Sequence, residues 1–203
     1  MGMSSSRRYG SQEITMVTTS NASDWSVQDT QSQSPIKWYA LGNTYQGNTP
    51  VINFSGNVGS ETVVLKSSRG LLHLECDFNQ LTFLDVSKNV SLTYLYGYSN
   101  QLKVLDVTKN VWLTLLSFSK NQLTELDVTK NVRLTQLYCE SNQLTALDVS
   151  KNTGLTDLYC RYNPNLTTIY VNQTQLDKLN GVIAEPQYWD WRKDPTATYV
   201  LKQ

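Results

Sequence analysis

Apolar and polar positions in the middle of the chain recur every 21 residues, with Leu71, Leu92, Leu113, Leu134 and Leu155 heading successive rows. The row from Leu92 to Trp112 reads LTYLYGYSNQ and then LKVLDVTKNVW, and each half fits Leu-x-x-Leu-x-(apolar)-x-x-Asn. In this register the first halves stack Leu74, Leu95, Leu116, Leu137 and Leu158, and after them Cys76, Gly97, Phe118, Cys139 and Cys160. The second halves stack Leu84, Leu105, Leu126 and Leu147, and after them Val86, Val107, Val128 and Val149. Leu-x-Val and Leu-x-Cys have the period of a strand, so each half is expected to supply one strand with alternate side chains turned inward. Strands from successive rows would then stack in parallel, about 4.8 Å apart, as two narrow sheets set back to back. The recurrent Asn of each half would turn its amide into the backbone at the bends. A single coil has no neighbour to bury its leucines, so the coils hold together only as a stack.

The rows LTYLYGYSNQLKVLDVTKN and LTQLYCESNQLTALDVSKN resemble the nested 21-residue leucine-rich repeats of exported surface proteins from Bacteroidetes-type bacteria. The resemblance covers about residues 71–171, and the flanking ITMVTT and PIKWYALGN segments share it. It implies an extracellular or cell-surface location and adhesion or ligand binding.

The expected architecture is mainly β: a leucine-rich-repeat solenoid of about five 21-residue coils over 71–171, with a cap at each end. Residues 1–12 read as a disordered leader, because polar residues follow Arg7-Arg8 where an export signal needs an apolar run. Residues 13–70 read as an N-terminal β cap, with strands Glu13 to Thr18, Ile36 to Leu41, Val51 to Phe54 and Glu61 to Lys66. At Asn163-Pro164-Asn165 one extra residue shifts the pattern to Leu166, Ile169 and Val171, which makes the fifth coil the last. Residues 172–203 read as a C-terminal cap. In it Asn172 and Gln175 start a helix with Leu176 and Leu179 inward, Asn180-Gly181 stops it, and a last strand runs from Thr198 to Leu201. Trp189 and Trp191 either lid the core or form an aromatic sugar-binding surface.

Composition narrows the function. Lys+Arg and Asp+Glu both total 17, so the chain lacks the basic excess that nucleic-acid phosphates demand. No apolar run approaches the roughly 20 residues of a transmembrane helix. Three cysteines are too few for a disulfide framework, and Cys76, Cys139 and Cys160 fall on inward positions.

The outward positions of the two halves differ. In the second halves they repeat, as Asp85, Asp106, Asp127 and Asp148 followed by Lys88, Lys109, Lys130 and Lys151, and a monotonous ladder reads as scaffold. In the first halves they vary and are rich in tyrosine, which offers large contact area at low ordering cost. Tyr94, Tyr96, Tyr98, Gln136, Tyr138, Glu140, Asp157, Tyr159 and Arg161 are therefore the candidate binding residues. His73, Glu75 and Asp77 alternate on the same face and are the one cluster capable of proton or metal chemistry. His73 is the only histidine and the spacing matches no zinc motif, so neither catalysis, metal nor cofactor is expected. The expected function is non-enzymatic binding or adhesion to an unidentified protein or glycan. A purely structural solenoid and an exported carbohydrate-active enzyme are the alternatives.

Overall fold

The computed structural model describes residues 12–202. The alternating run QEITMVT forms β1 (Gln12–Thr18), in which every second residue is buried. Gln12, expected in the leader, is thus part of this strand and pairs with Ser67; residues 1–11 lie outside the described residues. After β1 come β2 (Asp29–Ser32), β3 (Ile36–Ala40), β4 (Asn43–Gln46) and β5 (Glu61–Ser67). Strands β2 and β4 were not expected: DTQS and NTYQ are polar and short, and only their partners make them strands. The β3–β4 hairpin turns through Leu41 at φ 52° and Gly42 at φ 73°, both left-handed, as a tight two-residue turn requires. The expected strand Val51 to Phe54 shrinks to a single bridge between Ile52 and Trp25, although Ile52 and Phe54 are both buried.

The repeats follow as β6 (Leu71–Glu75), β7 (Leu81–Asp85), β8 (Tyr94–Tyr96), β9 (Leu115–Ser117), β10 (Gln136–Tyr138), β11 (Ala146–Asp148), β12 (Asp157–Tyr159) and β13 (Thr168–Val171). The short helix α1 (Gln173–Leu179) and strands β14 (Asp190–Arg192) and β15 (Thr198–Leu201) follow them. First-half strands pair in parallel at offsets of 21 residues, placing Leu74, Leu95, Leu116, Leu137 and Leu158 side by side with no exposed surface. The full sheet runs β14-β12-β10-β9-β8-β6-β2, with β2 antiparallel at one edge. At that end β1 also pairs with β7, so residues of the N-terminal segment cover both halves of the first coil.

The second halves do not form the continuous parallel sheet expected of them. Strand β7 joins the antiparallel sheet β4-β3-β5-β1-β7, and β11-β13-β15 form a separate three-stranded sheet. The second halves of the two coils between them carry no strand. Leu105 and Leu126 are still buried there, so the hydrophobic pattern is satisfied without a hydrogen-bonded ladder.

Asparagine holds the coils in register. Asn100 Nδ2 donates to the carbonyls of Cys76 and Gly97, and its Oδ1 accepts the N–H groups of Asn79 and Leu81. Asn121, Asn142 and Asn163 repeat the pattern one coil on. Just before the first-half asparagines, Phe78, Ser99, Lys120 and Ser141 at φ 55° and Tyr162 at φ 60° adopt the left-handed conformation. A non-glycine residue there costs about 1 kcal/mol or more, and the buried amide ladder holds it in place.

Candidate binding face

Parallel pairing in register converts the variable first-half positions into columns across one sheet. One column reads His73, Tyr94, Leu115, Gln136, Asp157 and Asp190; its neighbour reads Glu75, Tyr96, Ser117, Tyr138, Tyr159 and Arg192. Six of the nine candidate residues therefore share this face: Tyr94, Tyr96, Gln136, Tyr138, Asp157 and Tyr159. The other three, Tyr98, Glu140 and Arg161, lie beyond the strand ends at the bend. There Tyr98 N–H donates to Asp77 Oδ1 at 2.6 Å, and Glu140 N–H to Ser119 Oγ at 3.1 Å. Leu115 occupies an outward position yet is buried, so it separates Tyr94 from Gln136 within its column.

The tyrosines are not equivalent. Tyr159 donates its hydroxyl to Asp190 Oδ2 at 2.6 Å, meets Tyr138 edge-on at 5.0 Å between centroids, and lies under the Arg192 guanidinium at 4.3 Å. The hydrogen bond to Asp190, together with desolvation and that carboxylate's charge, pushes the Tyr159 hydroxyl up to about 12. Tyr98 meets Phe78 edge-on at 5.2 Å and has Lys120 Nζ 5.1 Å above its ring. Tyr94, by contrast, is 43% exposed. Asp190 and Arg192 were absent from the sequence-based candidates because they lie outside the repeats. The signal was the alternation Asp190-Trp191-Arg192, which pairs with Asp157-Leu158-Tyr159 and puts Trp191 beside Leu158. Trp189 stacks on Trp191 with centroids 4.6 Å apart, so this aromatic pair is anchored at the sheet edge.

At the other end, His73 stacks on Tyr96 at 5.3 Å and tilts against Tyr94 at 5.9 Å. Its Nε2 is shielded from solvent without a hydrogen-bond partner, 3.8 Å from Asp29 Oδ2 and 4.0 Å from Glu75 Oε2. The trio expected from sequence is altered: Asp29, carried in by β2, is the second carboxylate within ion-pair distance of His73. Asp77 lies past the strand end, where it accepts the Tyr98 N–H and desolvation raises its carboxyl. No group of three His, Cys, Asp or Glu side chains among the described residues is arranged to hold a metal ion.

On the opposite side each repeated aspartate closes a turn. Asp85, Asp106, Asp127 and Asp148 accept the N–H two residues on, at 2.8, 2.9, 2.9 and 3.0 Å. Thr108 and Thr129 add hydroxyl donors at 2.6 Å, and these bonds from Thr108 hold the Asp106 carboxyl below its usual range. An open groove of about 530 Å³ runs where the second-half ladder is interrupted, lined by Val104, Glu125, Asp106, Asp127 and Lys202 among others.

No family model matches the chain, and no curated protein does. Among solved structures, the functional domain of InlJ from Listeria monocytogenes, described as including a cysteine ladder, is 31% identical over 53% of this chain, with a TM-score of 0.41. The chain spans 32% of the length of that protein's chain. No helix among the described residues is long and apolar enough to cross a membrane.

Proposed function

We propose that this chain is a non-enzymatic binding or adhesion module whose tyrosine-bearing sheet face recognises a protein or glycan. One observation carries the reading. Six of the nine candidate positions that vary from coil to coil share a single continuous sheet, whereas the repeated aspartates on the other side are engaged in turn formation. A repeat scaffold is held by its recurrent positions, so specificity resides where the coils differ. In this reading residues 13–70 and 172–203 act as caps that keep the end coils from exposing leucines and strand edges. Placement at a bacterial surface follows from the repeat resemblance and accords with an adhesive role.

Screening the protein on a glycan array and against host extracellular proteins supplies the ligand. Tyr96→Ala and Tyr138→Ala are then expected to weaken binding by about 1–3 kcal/mol each, the range for a hot-spot aromatic, with little change in stability. Asp106→Asn and Asp127→Asn should leave affinity unchanged. If the aspartate variants abolish binding and the tyrosine variants do not, the active side is the opposite one.

A further inference from the structure

The charges of the chain balance overall, but they are distributed unequally over the sheet. Strands β2, β6, β8, β9, β10 and β12 carry Asp29, Glu75 and Asp157 and not one lysine or arginine. The one arginine on the sheet, in β14, is bound by Asp190, with Arg192 Nε donating to Oδ1 at 3.0 Å. Lysine recurs on the second halves instead, as Lys88, Lys109, Lys130 and Lys151.

Two tyrosines of this surface already hold cations from within the chain: Lys120 lies over Tyr98, and Arg192 over Tyr159. No lysine or arginine covers Tyr94 or Tyr96 among the described residues; His73 stacks on Tyr96 and tilts against Tyr94, its Nε2 lies within 4.0 Å of the Asp29 and Glu75 carboxylates, and Glu75 is the cross-strand partner of Tyr96. Both carboxylates reach solvent, with side chains 42% and 36% exposed. Glu75 also contributes to raising the Tyr96 hydroxyl, behind desolvation as the main cause, in keeping with a negative local field. Aromatic faces beside carboxylates form the environment that attracts an ammonium or guanidinium group.

We infer that the β2–β6–β8 end of the face takes a lysine or arginine side chain of a protein partner at the exposed rim that the Asp29 and Glu75 carboxylates and the Tyr94 ring form around His73. This rests on the reading of the tyrosine face as the binding face and specifies the chemistry of its partner. Field complementarity of this kind governs encounter rate and partner choice, and it weakens with salt.

The test uses a short oligolysine peptide as probe and oligoglutamate as control, with backbone amide shifts of the full chain as the readout. Oligolysine is expected to shift residues 73–77 and 94–96 and to bind more weakly as salt is added, while oligoglutamate shifts neither segment. The double variant Asp29→Asn, Glu75→Gln should weaken oligolysine binding about tenfold, as two partly exposed ion pairs allow. Glu75→Gln alone should have an intermediate effect, which guards against a folding defect in the double variant. Asp106→Asn with Asp127→Asn should have none. Equal binding of oligoglutamate, shifts gathered along Asp106, Asp127 and Asp148, or unchanged binding by the double variant would each overturn the inference. If a partner found by screening is weakened by Tyr96→Ala yet indifferent to the double variant, the cation inference fails while the binding face stands.

Discussion

Gln175 Nε2 donates to the carbonyl of Asn152 at 3.1 Å and to that of Val149 at 3.0 Å, reproducing with a helix residue the bonds an asparagine makes one coil earlier. Asn152 itself donates to Asn131 and Val128, and Asn131 to Asn110 and Val107. Gln175 is thus the last rung of the second-half amide ladder, and it also completes the capping box with Asn172. Gln175→Ala is expected to cost about 1–3 kcal/mol in chemical denaturation, because it leaves buried carbonyls unpaired. Gln175→Glu should cost more, since a carboxylate has no donor for two carbonyl oxygens.

Gly97 and Phe118 occupy one inward column on adjacent coils, and a Cβ placed on Gly97 would collide with the Phe118 ring. The ring fills the space that the missing side chain leaves. Gly97→Ala should therefore destabilise by about 1–3 kcal/mol through overpacking. Combining it with Phe118→Leu should cost less than the two changes summed, and a double-mutant cycle measures that coupling.

Leu116 is fully buried in the central coil with a leucine on each side. Leu116→Ala is expected to cost about 2–5 kcal/mol through the cavity it leaves, whereas Lys109→Ala should scarcely move the denaturation midpoint. Similar small shifts for both would contradict the inward and outward assignments.

Tyr159 links the repeat sheet to β14 through Asp190, and its hydroxyl is raised to about 12 in the folded chain. The folded form retains this proton more tightly than an unfolded tyrosine, whose value is about 10. The hydrogen bond therefore contributes fully below pH of about 10, and its contribution disappears as pH rises from there through about 12. Absorbance titration should show one tyrosine ionising near that upper limit, and Asp190→Asn should bring it down.

Much of the fold was legible because a stacked array repeats its physical problem every 21 residues. The leucine columns, the asparagine of each half and the Asn172–Gln175 helix start all express local requirements: burial, amide pairing and capping. The columns of outward first-half residues were legible for the same reason, since register alone places Tyr96 beside Glu75 and Tyr138 beside Tyr159.

The period, the inward set and the tyrosine columns are written into the chain residue by residue. Which half builds a continuous sheet is settled by the packing of the coils, because both halves carry nearly the same pattern and pairing depends on how neighbouring coils approach. Tertiary structure alone brought Asp29 to His73 and Asp190 and Arg192 to Tyr159. Those three residues come from segments outside the repeat, and no periodicity encodes contacts between a repeat and a distant non-repeating strand. Their positions follow from strand pairing at the two ends of the sheet, where the solenoid must satisfy backbone groups that no further coil supplies.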